Sequence, residues 1–129
     1  MTALVQSPTL GDLLKYELEP RYSRELVTLK AGAVYALGAV LGKITASGIY
    51  RLSPMAEIAG DEGAQDACAV LLEAVDAVSA DAVGLVAARG PVLLAKALLS
   101  YDPSVDQPSE KAAKIAQLAA HDLVARDTA

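Results

Sequence analysis

Apolar and polar positions along the chain fall into three regimes. From Glu25 onward, short apolar runs alternate with glycine-bearing breaks. Leu26–Leu29 reads as a strand and Lys30–Gly32 as a turn. Val34–Leu37 and Val40–Thr45 read as two more strands around Gly38, and Ser47-Gly48 marks a hairpin turn before Ile49–Leu52. Pro54–Gln65 reads as a loop, Ala67–Leu72 as an apolar run and Asp76–Asp81 as a turn. Two further runs follow, Ala82–Ala88 and Val92–Leu99, separated by Arg89-Gly90-Pro91. Period alone does not separate strand from helix in runs this short, and their Ala and Leu favour helix. Gly84, Gly90 and Pro91 punctuate them at strand-like spacing, and strand is the reading adopted.

The second regime is the C-terminal segment, where the spacing predicts a helix over 109–126. Pro108-Ser109 supplies the stop and an N-cap, and Glu110 sits where the helix dipole favours an acid. Ala112, Ile115, Ala116, Ala119 and Leu123 share the expected inner face, with Lys114, Gln117 and His121 largely opposite. The third regime is residues 1–25, where Pro8, Gly11 and Pro20 interrupt apolar residues of no clear period. They read as an extended N-terminal arm, with a short helical turn near Asp12–Tyr16. Leu10, Leu13, Leu14 and Tyr16 are more apolar than a solvated tail needs, so the arm is expected to meet a partner. The body is then 26–129, and the fold class is mainly β with a C-terminal helix.

Composition sharpens this picture. The 129 residues are 53% hydrophobic and 21% charged, with no Trp, no Phe and five Tyr. A core of small side chains gains little apolar area per residue, which favours oligomerisation. Eleven Lys and Arg against sixteen Asp and Glu leave a net charge of -5, which argues against nucleic-acid or anionic-membrane partners. The longest uncharged stretch, Ala31–Gly42, is too short to span a bilayer. The N-terminus lacks the pattern of a signal peptide, and a single cysteine suits synthesis in a reducing cytoplasm.

The chemistry-bearing residues are sparse. Gly38–Thr45 resembles a phosphate-binding loop only superficially. Its glycines are one residue too close, and Ile44 stands where a magnesium-holding hydroxyl is required. Lys43 is therefore expected to be a solvated side chain. Asp61, Glu62 and Asp66 lack the alternation of a calcium loop and read as solvated acids. Cys68 reads as a small buried hydrophobe without an activating base, and His121 as a solvated helix residue. No catalytic, cofactor-binding or metal-ligating set emerges.

An ordered series of blocks does carry a resemblance: Gly11–Glu17, Arg21–Glu25, Leu29–Gly32, Val40–Thr45 and Ala88–Val92. Together they resemble the lambda-type head decoration proteins of tailed bacteriophages. The resemblance implies a β-clip, a bent ribbon closing into an incomplete barrel. It implies a homotrimer on the outer surface of the expanded icosahedral head, at threefold positions, cementing the major capsid protein against packaged-DNA pressure. The location implied is the virion, after synthesis in the bacterial cytoplasm. It also implies that the arm meets the capsid, through Leu10, Asp12, Leu13, Leu14, Lys15, Tyr16, Arg21 and Arg24. The absence of Trp and Phe departs from the family pattern. A small-molecule or carbohydrate-binding β-clip module is the alternative reading.

Overall fold

The computed structural model describes residues 9–127. Its elements run α1 (Leu10–Leu13), β1 (Leu14–Glu17), α2 (Pro20–Ser23), β2 (Arg24–Leu29), β3 (Ala33–Tyr35), β4 (Val40–Lys43) and β5 (Tyr50–Leu52). They continue with β6 (Ala67–Leu71), β7 (Val75–Ala77), β8 (Ala82–Ala87), β9 (Val92–Ala95), a 3-10 turn (Lys96–Leu98), α3 (Pro108–Ala119) and β10 (Leu123–Arg126). The fold is mainly β with a C-terminal helix, as the sequence pattern implies.

Five strands form a ring in the order β2-β5-β4-β6-β8. Four of its seams are antiparallel, β2–β8 pairing over the whole of both strands from Arg24↔Ala87 to Leu29↔Ala82. The fifth, between β2 and β5, is a single parallel pair, Leu29↔Tyr50. The ring is therefore an incomplete barrel. Two smaller sheets flank it, β1-β9-β10 and β3-β7.

The apolar runs are continuous because the ring buries both faces of its central strands. Leu41, Ala69, Leu71 and Val86 point into the ring with Leu29, Tyr35 and Tyr50. Their neighbours Val40, Val70, Leu72 and Ala87 point outward into a second core. There they meet Leu13, Val92, Leu94, Leu118 and Leu123 from α1, β9, α3 and β10, with Leu99 just past the 3-10 turn. One short chain thus fills two cores with Val, Leu and Ala.

Three expectations need correction. The stretch beginning at Asp76 is not all turn, because β7 pairs Val75–Ala77 with Ala33–Tyr35 and tucks Ala77 into the ring core. Of Val92–Leu99 only the first four residues are strand, and the chain then tightens into the 3-10 turn. The helix does not reach residue 126. His121 and Asp122 donate their N–H groups to Leu118 and Ala119, Asp122 turns left-handed at φ 60°, and the chain returns as β10 beside β9.

The inner face of α3 also differs from the expected one. Ala112, Ala116 and Ala119 are exposed, whereas Lys114 and Leu118 are buried. The Lys114 ammonium donates to Ser53 Oγ at 2.9 Å, to the Pro54 carbonyl at 2.7 Å and to the Gln65 carbonyl. Gln117 Oε1 accepts the Ala67 N–H at 2.8 Å. The polar side of the helix is thus its tie to the long 53–66 loop. Burial pushes the Lys114 ammonium below the usual lysine range, and its three acceptors offset that cost. Replacing Lys114 with Met keeps the volume but leaves two carbonyls without their donor. The expected loss is about 2 to 4 kcal/mol, read from urea unfolding at neutral pH. An unchanged midpoint would show that water takes over both carbonyls.

Candidate functional site

The N-terminal elements build the surface on which the sequence places function. Thr9 opens α1, and the Asp12 carboxylate accepts both the Thr9 N–H at 2.8 Å and its hydroxyl at 3.2 Å. These bonds hold the exposed Asp12 carboxyl below its ordinary range. The four-residue turn places Leu13 inward, fully buried in the second core, with Leu10 and Leu14 packed half-buried beside it. β1 then pairs antiparallel with β9, Leu14↔Leu94 and Tyr16↔Leu93, with a bulge at Lys15. Lys15 reaches back to the Gly11 carbonyl at 3.0 Å.

The expectation of an arm without partners in the body therefore fails for residues 10–25. The large apolar residues that look unpartnered in the sequence find their partners 80 residues away, on β9. Residues 1–8 of the expected arm lie outside the described residues.

Beyond β1 the chain is stapled by ions. Arg24 clasps the Glu17 carboxylate with its guanidinium, the shortest contact being 2.8 Å, and Ser23 Oγ donates to the same carboxylate at 2.6 Å. The Arg24 guanidinium beside it, more than Ser23, holds the Glu17 carboxyl well below the usual carboxylate range. Arg24 is thus an internal brace. Arg21 lies exposed and touches only Glu19, at 3.2 Å. Of the eight residues assigned to the site from sequence, Asp12, Lys15, Tyr16 and Arg21 present side chains to solvent.

The structure adds apolar residues that the sequence reading passed over. Leu18 and Tyr22 are 64% and 60% exposed, and Tyr16 is half exposed. Leu18 donates its N–H to the Pro91 carbonyl, and the Arg89 guanidinium stacks 5.5 Å from the Tyr22 ring while donating to Glu25. Tyr16, Pro91, Leu93 and Val124 wall a shallow groove of about 230 Å³ on the outer face of the β1-β9-β10 sheet. On the ring itself Leu26 and Val83 stand out on adjacent strands, each more than three-fifths exposed.

The remaining candidates resolve into structure. A side chain on Gly42 would collide with the Ala64 carbonyl, and Gly38, at φ 88°, lies against the Leu98 carbonyl. The glycines that mimic a phosphate loop are there because other backbone passes over them. Gly42→Ala is expected to cost about 2 kcal/mol, whereas Lys43→Ala, on an exposed side chain, should stay within about 0.5 kcal/mol. Thermal melting of the two variants side by side checks this. Asp61 is not a solvated acid. It is buried between Lys30 and Arg51, each at 2.8 Å, and Arg51 extends to Asp102 at 3.1 Å. Cys68 is half-buried against the ring core, and burial pushes its thiol up. Among the described residues no cluster of His, Cys, Asp or Glu could hold a metal ion, and no helix is long and apolar enough to cross a membrane.

With that geometry in view, a family match decides the assignment. Residues 3–123 match the model of the bacteriophage lambda head decoration protein D family. The chain belongs to that family. Membership makes it a phage head decoration protein associated with the capsid of the virion. No curated protein matches it in sequence.

Proposed function

We propose that this decoration protein acts as a homotrimer on the outer surface of the expanded head. At threefold positions it cements neighbouring copies of the major capsid protein against the pressure of packaged DNA. The observation that carries the reading is the family match over nearly the whole chain. The proposed role is structural and non-enzymatic, as the family description suggests.

Two surfaces support the finer points. The segment ahead of Thr9, together with exposed Asp12, Lys15, Tyr16 and Arg21, is the proposed capsid contact. Three such contacts per trimer would act together, so each can be individually weak. Leu26 and Val83 lie on the outer face of the ring, and they are the proposed contact between protomers.

The test mixes the purified protein with expanded capsids, pelets and washes them, and weighs the free protein by sedimentation velocity. Retained protein and a free species of three 13.3 kDa chains are expected. A monomer at micromolar concentration would overturn the trimer, and failure to co-sediment would overturn the decoration role. Removing residues 1–8 should abolish co-sedimentation while the far-UV spectrum is kept. Full binding by that variant would move the contact to the body.

A further inference from the structure

The chain is acidic overall, and most of its cations are already engaged. Arg21, Arg24, Lys30, Arg51 and Arg89 are in ion pairs, and Lys114 is buried. Lys15, Lys43, Lys96, Lys111 and Arg126 have no ion-pair partner among the described residues. Two of these, Lys96 on the 3-10 turn and Lys111 on α3, line one groove of about 390 Å³. Its floor is apolar, made by Leu99, Tyr101 and Ile115, and the Lys111 ammonium lies 5.6 Å from the centre of the Tyr101 ring. Arg126 lines the separate groove on the outer face of the β1-β9-β10 sheet, so Lys96 and Lys111 are the two cations here. Asp127 is the one acid in the lining among the described residues.

The groove also lies near the proposed capsid contact. α1 packs against the 3-10 turn that carries Lys96, so the chain enters the fold from Thr9 next to the groove. We propose that this groove is a second capsid contact. It would seat an acidic segment of the shell protein, with one apolar side chain on the Leu99–Tyr101–Ile115 floor and carboxylates at Lys96 and Lys111. This proposal rests on the decoration reading. The chemistry follows from charge complementarity: free cations framing an apolar floor favour an acidic, partly apolar peptide, and the surrounding net negative charge turns such a peptide away from other faces.

The test compares full-length variants for co-sedimentation with expanded capsids at low and high salt. Lys96→Glu and Lys111→Glu should each bind about tenfold more weakly at low salt, with the deficit narrowing as salt screens it and the melting temperature unchanged. Lys43→Glu makes the same change of charge elsewhere and should bind like the native protein. Ala112→Tyr, which fills the groove from an exposed helix position, should weaken binding at both salt concentrations. Equal binding by all four variants would overturn the proposal while leaving the decoration role intact. Equal weakening by the three charge variants would also overturn it, in favour of a general field effect. Competition by duplex DNA would reassign the groove to phosphates. If the native protein itself fails to bind, the decoration reading falls, and this proposal falls with it.

Discussion

A protein lacking residues 1–16 is expected not to fold. Leu13 is fully buried among Val40, Val70, Leu94 and Leu99, and removing a buried leucine side chain alone costs about 2 to 5 kcal/mol. The same cut removes Leu10, Leu14 and most of β1, so β9 loses its antiparallel neighbour and becomes an open edge. Together these losses approach the whole net stability of a small domain, about 5 to 15 kcal/mol. Circular dichroism of the truncated protein should show no cooperative melt. The milder Leu13→Ala should lower stability by about 3 kcal/mol with the fold retained. A truncated protein that melts like the native one would show that β1 adds nothing to the second core. The consequence for capsid work is practical: a binding defect after this cut reports unfolding, so the arm has to be tested by removing residues 1–8.

Neutralising Asp61 is expected to be among the most damaging single changes of charge. Its carboxylate accepts from Lys30 and from Arg51, and it joins the long loop to β2 and β5. Breaking a buried pair by removing one partner costs about 3 to 5 kcal/mol. Lys30 is half exposed, so water screens its share, and the expected loss for Asp61→Asn is about 3 kcal/mol. The Lys30 ammonium, and after it the Arg51 guanidinium, hold the Asp61 carboxyl below its ordinary range. A depressed native value means that the unfolded chain takes up the proton first as pH falls. The stabilisation is therefore complete above the unfolded value of about 3.9 and drains away below it, through the native value. Urea unfolding across the acid range should show the gap between native protein and Asp61→Asn closing in that window. A gap independent of pH would mean that packing, and not charge, is what the carboxylate supplies.

These two cases show where the sequence is legible and where it is not. The runs at β4, β6 and β8 stand out because strands buried on both faces concentrate apolar residues without a break. The conflict between helix-forming residues and strand spacing at 82–99 is settled by Gly84, which a side chain would drive into Leu29 and Leu71 of the ring. Asp61 and Lys114 are misread from sequence because hydropathy counts a polar side chain as outward. The partners of Asp61 lie 10 and 31 positions away and those of Lys114 lie 49 to 61 away, and no local pattern announces them. The same holds at the N-terminus. The apolar character of Leu10–Tyr16 signals a partner, but pairing with β9 is a long-range fact. Leu18 and Tyr22 carry no periodic signature and are found only by their exposure.

The sheet β1-β9-β10 has a further consequence for handling the molecule. β1 runs antiparallel to β9 and β10 parallel to it, so the chain enters the sheet at Leu14↔Leu94 and leaves it at Arg126↔Ala95. Entry and exit flank the same end of one strand, two strand spacings apart, or about 10 Å. An exposed loop such as 55–60, between two strands of the ring, is the kind of position where an insertion leaves both cores undisturbed. Cargo appended after Arg126 would leave from the end of the sheet at which β1 begins. Cargo carried on that loop would leave from the ring instead.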